Sequence, residues 1–173
     1  MTRARELPSQ EDLRSLFDYD ENTGYLTWRK RDDVAPAFNG RFAGKRAGSI
    51  DGKRMQVMVN HRNVGYHRVI WKWVYGTDPA AEIDHINGNF YDNRLANLRE
   101  ADRNLNAKNR GPTKGRALPK GVRLQKDCKR YQAYLRLNGA LVCLGYFATP
   151  EAAHTAYLKA AKDAWGDWAR GNT

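Results

Sequence analysis

Between Ile83 and Arg110 the chain reads I-D-H-I-N-G-N-F-Y-D-N-R-L-A-N-L-R-E-A-D-R-N-L-N-A-K-N-R. An adjacent Asp84 and His85 precede a run of asparagines and arginines. Together they offer a base, a metal ligand, amides to orient both, and cations for phosphate. Phosphodiester hydrolysis needs those parts: an activated water, neutralised charge and a stabilised leaving oxygen. His85 suits the first role, because an unperturbed imidazole titrates near ~6.5 and is available as a neutral base. The Asp84 carboxylate and the Asn106 carbonyl are hard oxygen donors suited to one Mg²⁺ or Mn²⁺ ion, and Mg²⁺ needs few protein ligands. Asn97 can hold one imidazole N–H through its side-chain oxygen, leaving the other ring nitrogen to accept a proton. For any one of these residues, turn chemistry is the commoner explanation. The joint pattern points to a site.

The elements that must position these groups are legible in outline. Glu82 to His85 reads as a short strand, Asn87-Gly88 as a turn, and Leu95 to Arg99 as a returning strand. Neighbours on a strand face opposite ways, so Asp84 and His85 can share a site only where the strand ends and bends. Asp102 is placed to cap a short helix carrying Asn106 and Asn109 on one face. Upstream, Ser9 and Asp12 form a helix-start signal with Leu13, Leu16 and Phe17 as a short apolar face, Asn22-Thr23-Gly24 is a turn before a strand at Tyr25 to Trp28, and Asp51-Gly52 separates two further strands. His67 to Tyr75 has helical apolar spacing, with Gly76 to end it. His67 lies near the site or packs beneath it; His61 and His154 read as structural or surface residues.

The formal charge is +11, and eleven Lys and Arg against two Asp fall between Ala101 and Gly145. Such clustering indicates a polyanionic partner, nucleic acid ahead of an anionic membrane surface. No apolar run approaches the ~20 residues of a membrane span. The stretch M-T-R-A-R-E-L-P lacks the apolar core of a secretory signal, so a cytoplasmic setting is expected. Cys128 and Cys143 can supply neither a disulfide framework nor a four-thiolate zinc site; free thiols and a single disulfide both remain open. The Pro- and Gly-containing basic stretch 111–119 reads as a linker, with Arg110, Lys114 and Arg116 suited to a phosphate backbone or to solvent. Beyond it, Gly121 to Lys126, Tyr131 to Leu137 and Ala140 to Phe147 read as three strands, the last two joined by Asn138-Gly139. A helix opens at Thr149-Pro150-Glu151 and runs on with alanines at 3.6-residue spacing.

Residues Asp84 to Asn89 (D-H-I-N-G-N), Asp92 to Arg94 (D-N-R), Asn97 to Arg99 (N-L-R), Asn106 and Asn109 resemble the HNH endonucleases of ββα-metal fold, in their homing-type branch from phages and mobile introns. The leader T-G-Y-L-T-W at Thr23 to Trp28 and the His67, Arg68, Trp71 pattern are similar to the same enzymes. The resemblance implies His85 as general base, Asp84 and Asn106 as ligands of a single divalent ion, and Asn97 as the residue orienting His85. Arg94 and Arg99 are cations of the motif and are expected at the DNA phosphates. Many relatives carry a structural zinc on two Cys-x-x-Cys pairs, which this chain lacks, so no zinc is expected. From Lys120 onward the chain resembles the APETALA2/ethylene-response-factor DNA-binding domain, above all in L-G-Y-F followed by T-P-E-A-A-H-T-A-Y. That resemblance implies a sheet laid in the DNA major groove, with Lys120, Arg123, Gln125, Tyr134, Arg136 and Cys143 facing DNA.

The expected fold class is therefore α+β. A ββα-metal nuclease module with N-terminal β-hairpins (1–110) is followed by a linker (111–119) and a three-stranded antiparallel sheet packed on one helix (120–173). The expected partner is double-stranded DNA, bound by a monomer or a transient dimer. The rival expectations are a non-catalytic DNA-binding regulator and an RNA-binding basic protein.

Overall fold

The computed structural model describes residues 6–52, 54–109, 115 and 117–169. The chain is mixed α+β and divides into two compact units, Met1–Asp102 and Arg103–Thr173. Among the described residues no helix is long and apolar enough to cross a membrane.

In the first unit, helix α1 (Gln10–Leu16) starts on a reciprocal cap: Ser9 Oγ accepts from the Asp12 N–H at 3.0 Å, and the Asp12 carboxylate accepts from the Ser9 N–H at 3.2 Å. Phe17 does not extend that helix as its apolar spacing suggests. It turns extended and opens β1 (Phe17–Asp20), which pairs antiparallel with β2 (Tyr25–Trp28). A short helix α2 (Pro36–Phe42), not expected from the sequence, begins on a proline and packs Phe38 edge-on and Phe42 tilted against Trp28. Strands β3 (Ser49–Asp51), β4 (Arg54–Val59) and β5 (Arg62–Gly65) form a meander in that order. Helix α3 (Tyr66–Tyr75) follows directly and ends at Gly76, whose φ of 77° is left-handed.

The core of this unit gathers Leu13, Phe17, Leu26, Val57, Tyr66, Val69 and Ile70, all nearly or fully buried. Tyr66 buries its ring there, and its hydroxyl accepts from the Leu26 N–H at 2.5 Å, so the polar end of a core aromatic is satisfied. Strands β6 (Glu82–His85) and β7 (Leu98–Ala101) make the hairpin that carries the motif, with Asp84 opposite Arg99 and His85 opposite Leu98. The returning strand starts later than its sequence suggests. Leu95–Asn97 forms a 3₁₀ turn, closed by the Asn97 N–H on the Arg94 carbonyl at 2.8 Å.

The second unit opens with α4 (Arg103–Asn109), which carries Asn106 and Asn109. Strands β8 (Val122–Gln125), β9 (Arg130–Leu137) and β10 (Ala140–Phe147) form an antiparallel sheet with β9 in the centre. Helix α5 (Pro150–Trp165) is capped by Thr149 and packs on that sheet through Ala153, Tyr157 and Ala161. Small side chains let the helix approach closely. Gly121, at φ 77°, lies directly beneath the Tyr157 ring, leaving no space for a side chain.

Candidate active site

His85 ends β6 and is half-buried in a cavity of about 360 Å³, shared with His67, Arg54, Arg68, Met55 and Phe90. Its Nε2 lies 3.1 Å from the Oδ1 of Asn93. Asn93 is fully buried, and its amide nitrogen donates to the Phe90 carbonyl at 3.2 Å and to Met55 Sδ at 3.4 Å. A carbonyl can only accept, so the orientation of the Asn93 amide is fixed and its oxygen must face the imidazole. His85 therefore carries its proton on Nε2 and donates it to Asn93. Nδ1 is left as the basic nitrogen of the neutral ring.

Burial pushes the His85 pKa below the ordinary imidazole value, more than the Asn93 hydrogen bond and the Asp84 charge raise it. His67 stands edge-on to His85, with ring centroids 5.4 Å apart. Burial foremost, then the charges of His85 and Arg68, lower its pKa to about 4. Both rings are thus uncharged at neutral pH, which suits a base and removes repulsion between them. His67, with two possible places from sequence alone, lies in the same cavity as His85.

Asp84 directly precedes His85 on β6, and its charge reaches the imidazole. It is 7% exposed, and its Oδ2 is held by Arg99 through Nε and a terminal nitrogen, each at 3.1 Å. A buried carboxylate is tolerable when so paired. Among the described residues no group of three or more His, Cys, Asp or Glu could hold a metal ion. The available donors are hard oxygens and few in number. They suit an ion of the Mg²⁺ type, which keeps most of its waters. Asn106 sits on α4, half-buried in the second unit.

Asn97 is engaged elsewhere than at the imidazole. Its Oδ1 accepts from the Asn87 N–H at 3.0 Å, and its Nδ2 donates to Asn87 Oδ1 at 3.0 Å and to the Asp92 carbonyl at 2.7 Å. It ties the loop 87–92 shut from within, and the contact expected of it falls to Asn93. The sequence did contain Asn93, in the triplet D-N-R, but its role depends on a loop closure that spacing does not reveal. Arg94 forks onto the Asp92 carboxylate at 2.7 and 2.6 Å, holding its pKa at about 2. Arg94 and Arg99, expected at DNA, thus both meet carboxylates of their own hairpin.

In the second unit the sheet face opposite α5 carries Arg123, Gln125, Gln132, Tyr134, Arg136 and Cys143. Gln132, 4% exposed, is the centre: its Oε1 accepts from Arg123 at 2.6 Å and Gln125 at 3.1 Å, and its Nε2 donates to Cys143 Sγ at 2.9 Å. Arg123 also lies over the Tyr134 ring, 5.6 Å from its centroid, and Arg136 donates to the Gly139 carbonyl at 3.0 Å. Lys120 donates to the Lys108 carbonyl at 2.7 Å. Cys128 and Cys143 are free, exposed thiols. Arg110, Lys114 and Arg116 lie outside the described residues.

Residues 64–108 match a family model, HNH_3, described as HNH endonuclease. The match begins at β5, takes in α3 and the β6–β7 hairpin, and runs into α4 as far as Lys108. No significant match is found among curated proteins or among solved structures. The match implies an enzyme with nuclease activity on DNA.

Proposed function

From an HNH endonuclease domain at residues 64–108, we propose that this chain is a homing-type, phage or mobile-element DNA endonuclease that hydrolyses phosphodiester bonds in the duplex with one divalent ion and His85 as general base. The observation that carries the reading is the His85–Asn93 contact at 3.1 Å, which assigns the ring proton to Nε2 of a histidine that lines a cavity. Nδ1 takes the proton of the attacking water, and Asn93 steadies the imidazolium that forms. Asp84 and Asn106 would hold the ion, with Arg99 fixing the carboxylate. When bound, the ion supplies neutralisation of the charge that develops on the phosphate and the leaving oxygen. Asn97 acts on the site indirectly, by closing the loop that holds Asn93.

Residues 120–173 supply binding in this reading, as an APETALA2-like module whose Arg123, Gln125, Tyr134, Arg136 face meets the major groove, with Lys120 and the basic stretch 110–116 on phosphates. Such division of labour suits a small cleavage site with little discrimination of its own. The protein works in the host cytoplasm as a monomer, or as a transient dimer where both strands are cut. A supercoiled plasmid incubated with Mg²⁺ or Mn²⁺ tests the reaction class. Nicked circles that disappear in EDTA are expected; a wild type inert with both ions favours the non-catalytic regulator.

A further inference from the structure

The His85 cavity has two cations in its wall that the hydrolytic reading leaves unused. Arg54 comes from β4 and Arg68 from α3, and both line the cavity with His67 and His85. Arg54 is exposed and forms no ion pair among the described residues. Arg68 has one loose carboxylate contact, to Asp78 Oδ1 at 3.6 Å, while Asp78 gives Oδ2 to Lys72 at 2.7 Å. One carboxylate is thus shared by two cations and cannot neutralise both. The Arg68 Nε is buried without a hydrogen-bond partner. A buried charged donor in that state costs stability until a ligand accepts from it.

We propose that Arg54 and Arg68 form a two-arginine clamp for the phosphodiester group beside His85, an assignment that rests on the nuclease reading of the cavity. Guanidinium forks match the paired oxygens of a phosphate, and their attraction is strengthened where water is partly excluded. Arg68 and Gly65 also line a neighbouring groove of about 720 Å³ with Asn60, Arg62 and Asn63. A strand leaving the clamp meets Arg62, Asn60 and Asn63 there, beside the Glu6 carboxylate and the apolar Leu7, Pro8 and Val64. The clamp fixes which phosphate His85 meets, a positioning that neither Asp84 nor the second unit supplies.

The test uses the full chain and the variants Arg54→Ala, Arg68→Gln and Arg68→Lys. Binding of a short labelled duplex is followed by anisotropy in EDTA across a salt series, and plasmid nicking is followed in Mg²⁺. Each neutral variant is expected to reduce the salt slope by about one and to slow nicking about 100-fold. Arg68→Lys is expected to restore the slope but not the rate, because an ammonium lacks the fork. Melting curves establish that the variants are folded; if Arg68→Gln is not, the exposed Arg54→Ala decides. A wild type that binds but never nicks, with both slopes still reduced, defeats the nuclease reading and leaves the clamp as a DNA contact. Unchanged slope and rate in folded variants overturns the clamp, as does a wild type that binds no DNA.

Discussion

Gly24, in the turn between β1 and β2, lies against the backbone of Asn93 so closely that a β-carbon at position 24 would come within 2.5 Å of the Asn93 carbonyl carbon. Tyr19 adds a second hold from the same hairpin: its hydroxyl donates to the Asn93 carbonyl at 3.2 Å and accepts from the Leu95 N–H at 3.0 Å. The hairpin at the front of the unit therefore sets the loop that carries the partner of His85. Gly24→Ala should destabilise the unit by roughly 1–3 kcal/mol, from the left-handed φ of 73° and the overpacking together. Denaturant unfolding measures the loss, and slower nicking at temperatures where the variant is still folded would trace it to Asn93.

Asn93 is the residue through which that hairpin reaches the imidazole. Asn93→Ala removes the acceptor for the Nε2 proton and frees the ring to change tautomer. Nicking should fall about 10- to 100-fold, the usual cost of losing an orienting partner, while duplex affinity in EDTA stays at the wild-type value. Asn97→Ala should do similar harm by another route, loosening loop 87–92, and its defect should grow with temperature. Rates of both variants over a temperature series distinguish the two.

How much of this was open to a sequence reader varies with the range of the interaction. The β9–β10 hairpin follows from Asn138-Gly139, and α5 from Thr149-Pro150, because turn and cap signals act over a few residues. The β6 strand and the identity of Asp84 and His85 were equally plain. Asn93 was not, since its contact with His85 depends on Gly24 and Tyr19 about seventy residues away. The helix α2 carries no such signal, because A-P-A-F-N-G-R-F has little helical patterning; it is held by aromatic packing on Trp28. Phe17 misled for the reverse reason: its apolar spacing fits a helix, yet its pairing opposite Trp28 in a sheet prevails.

The metal ligands can be tested apart from the base. Asp84→Asn and Asn106→Ala should each raise the Mg²⁺ concentration needed for half-maximal nicking by about 10-fold or more, without changing duplex binding in EDTA. Asp84→Asn also breaks the buried Asp84–Arg99 pair, so a loss of melting temperature should accompany it. A metal requirement unmoved by either change would remove both from the ligand set.

His67 gives the fold a pH dependence. Its folded pKa of about 4 lies below the ordinary 6.5, so the unfolded chain takes up the proton first. Stability is complete above the unfolded value and declines as pH falls from about 6.5 to about 4, by roughly 1.4 kcal/mol per pH unit from this group. Urea unfolding across that window should show the decline, and His67→Gln should remove that part of it. The lowered pKa of His85 has a kinetic counterpart: nicking should keep its plateau below the pH at which an ordinary imidazole would be half protonated.

The most direct test is made on His85 itself. Wild type and His85→Ala are compared in parallel, by gel shift of a duplex in EDTA and by nicking of supercoiled plasmid in Mg²⁺. Equal shifts are expected, with a nicking rate lower by about 100-fold or more in the variant, the loss that follows removal of a general base. If His85→Ala nicks at the wild-type rate, His85 is not the base and the hydrolytic centre lies elsewhere in the chain.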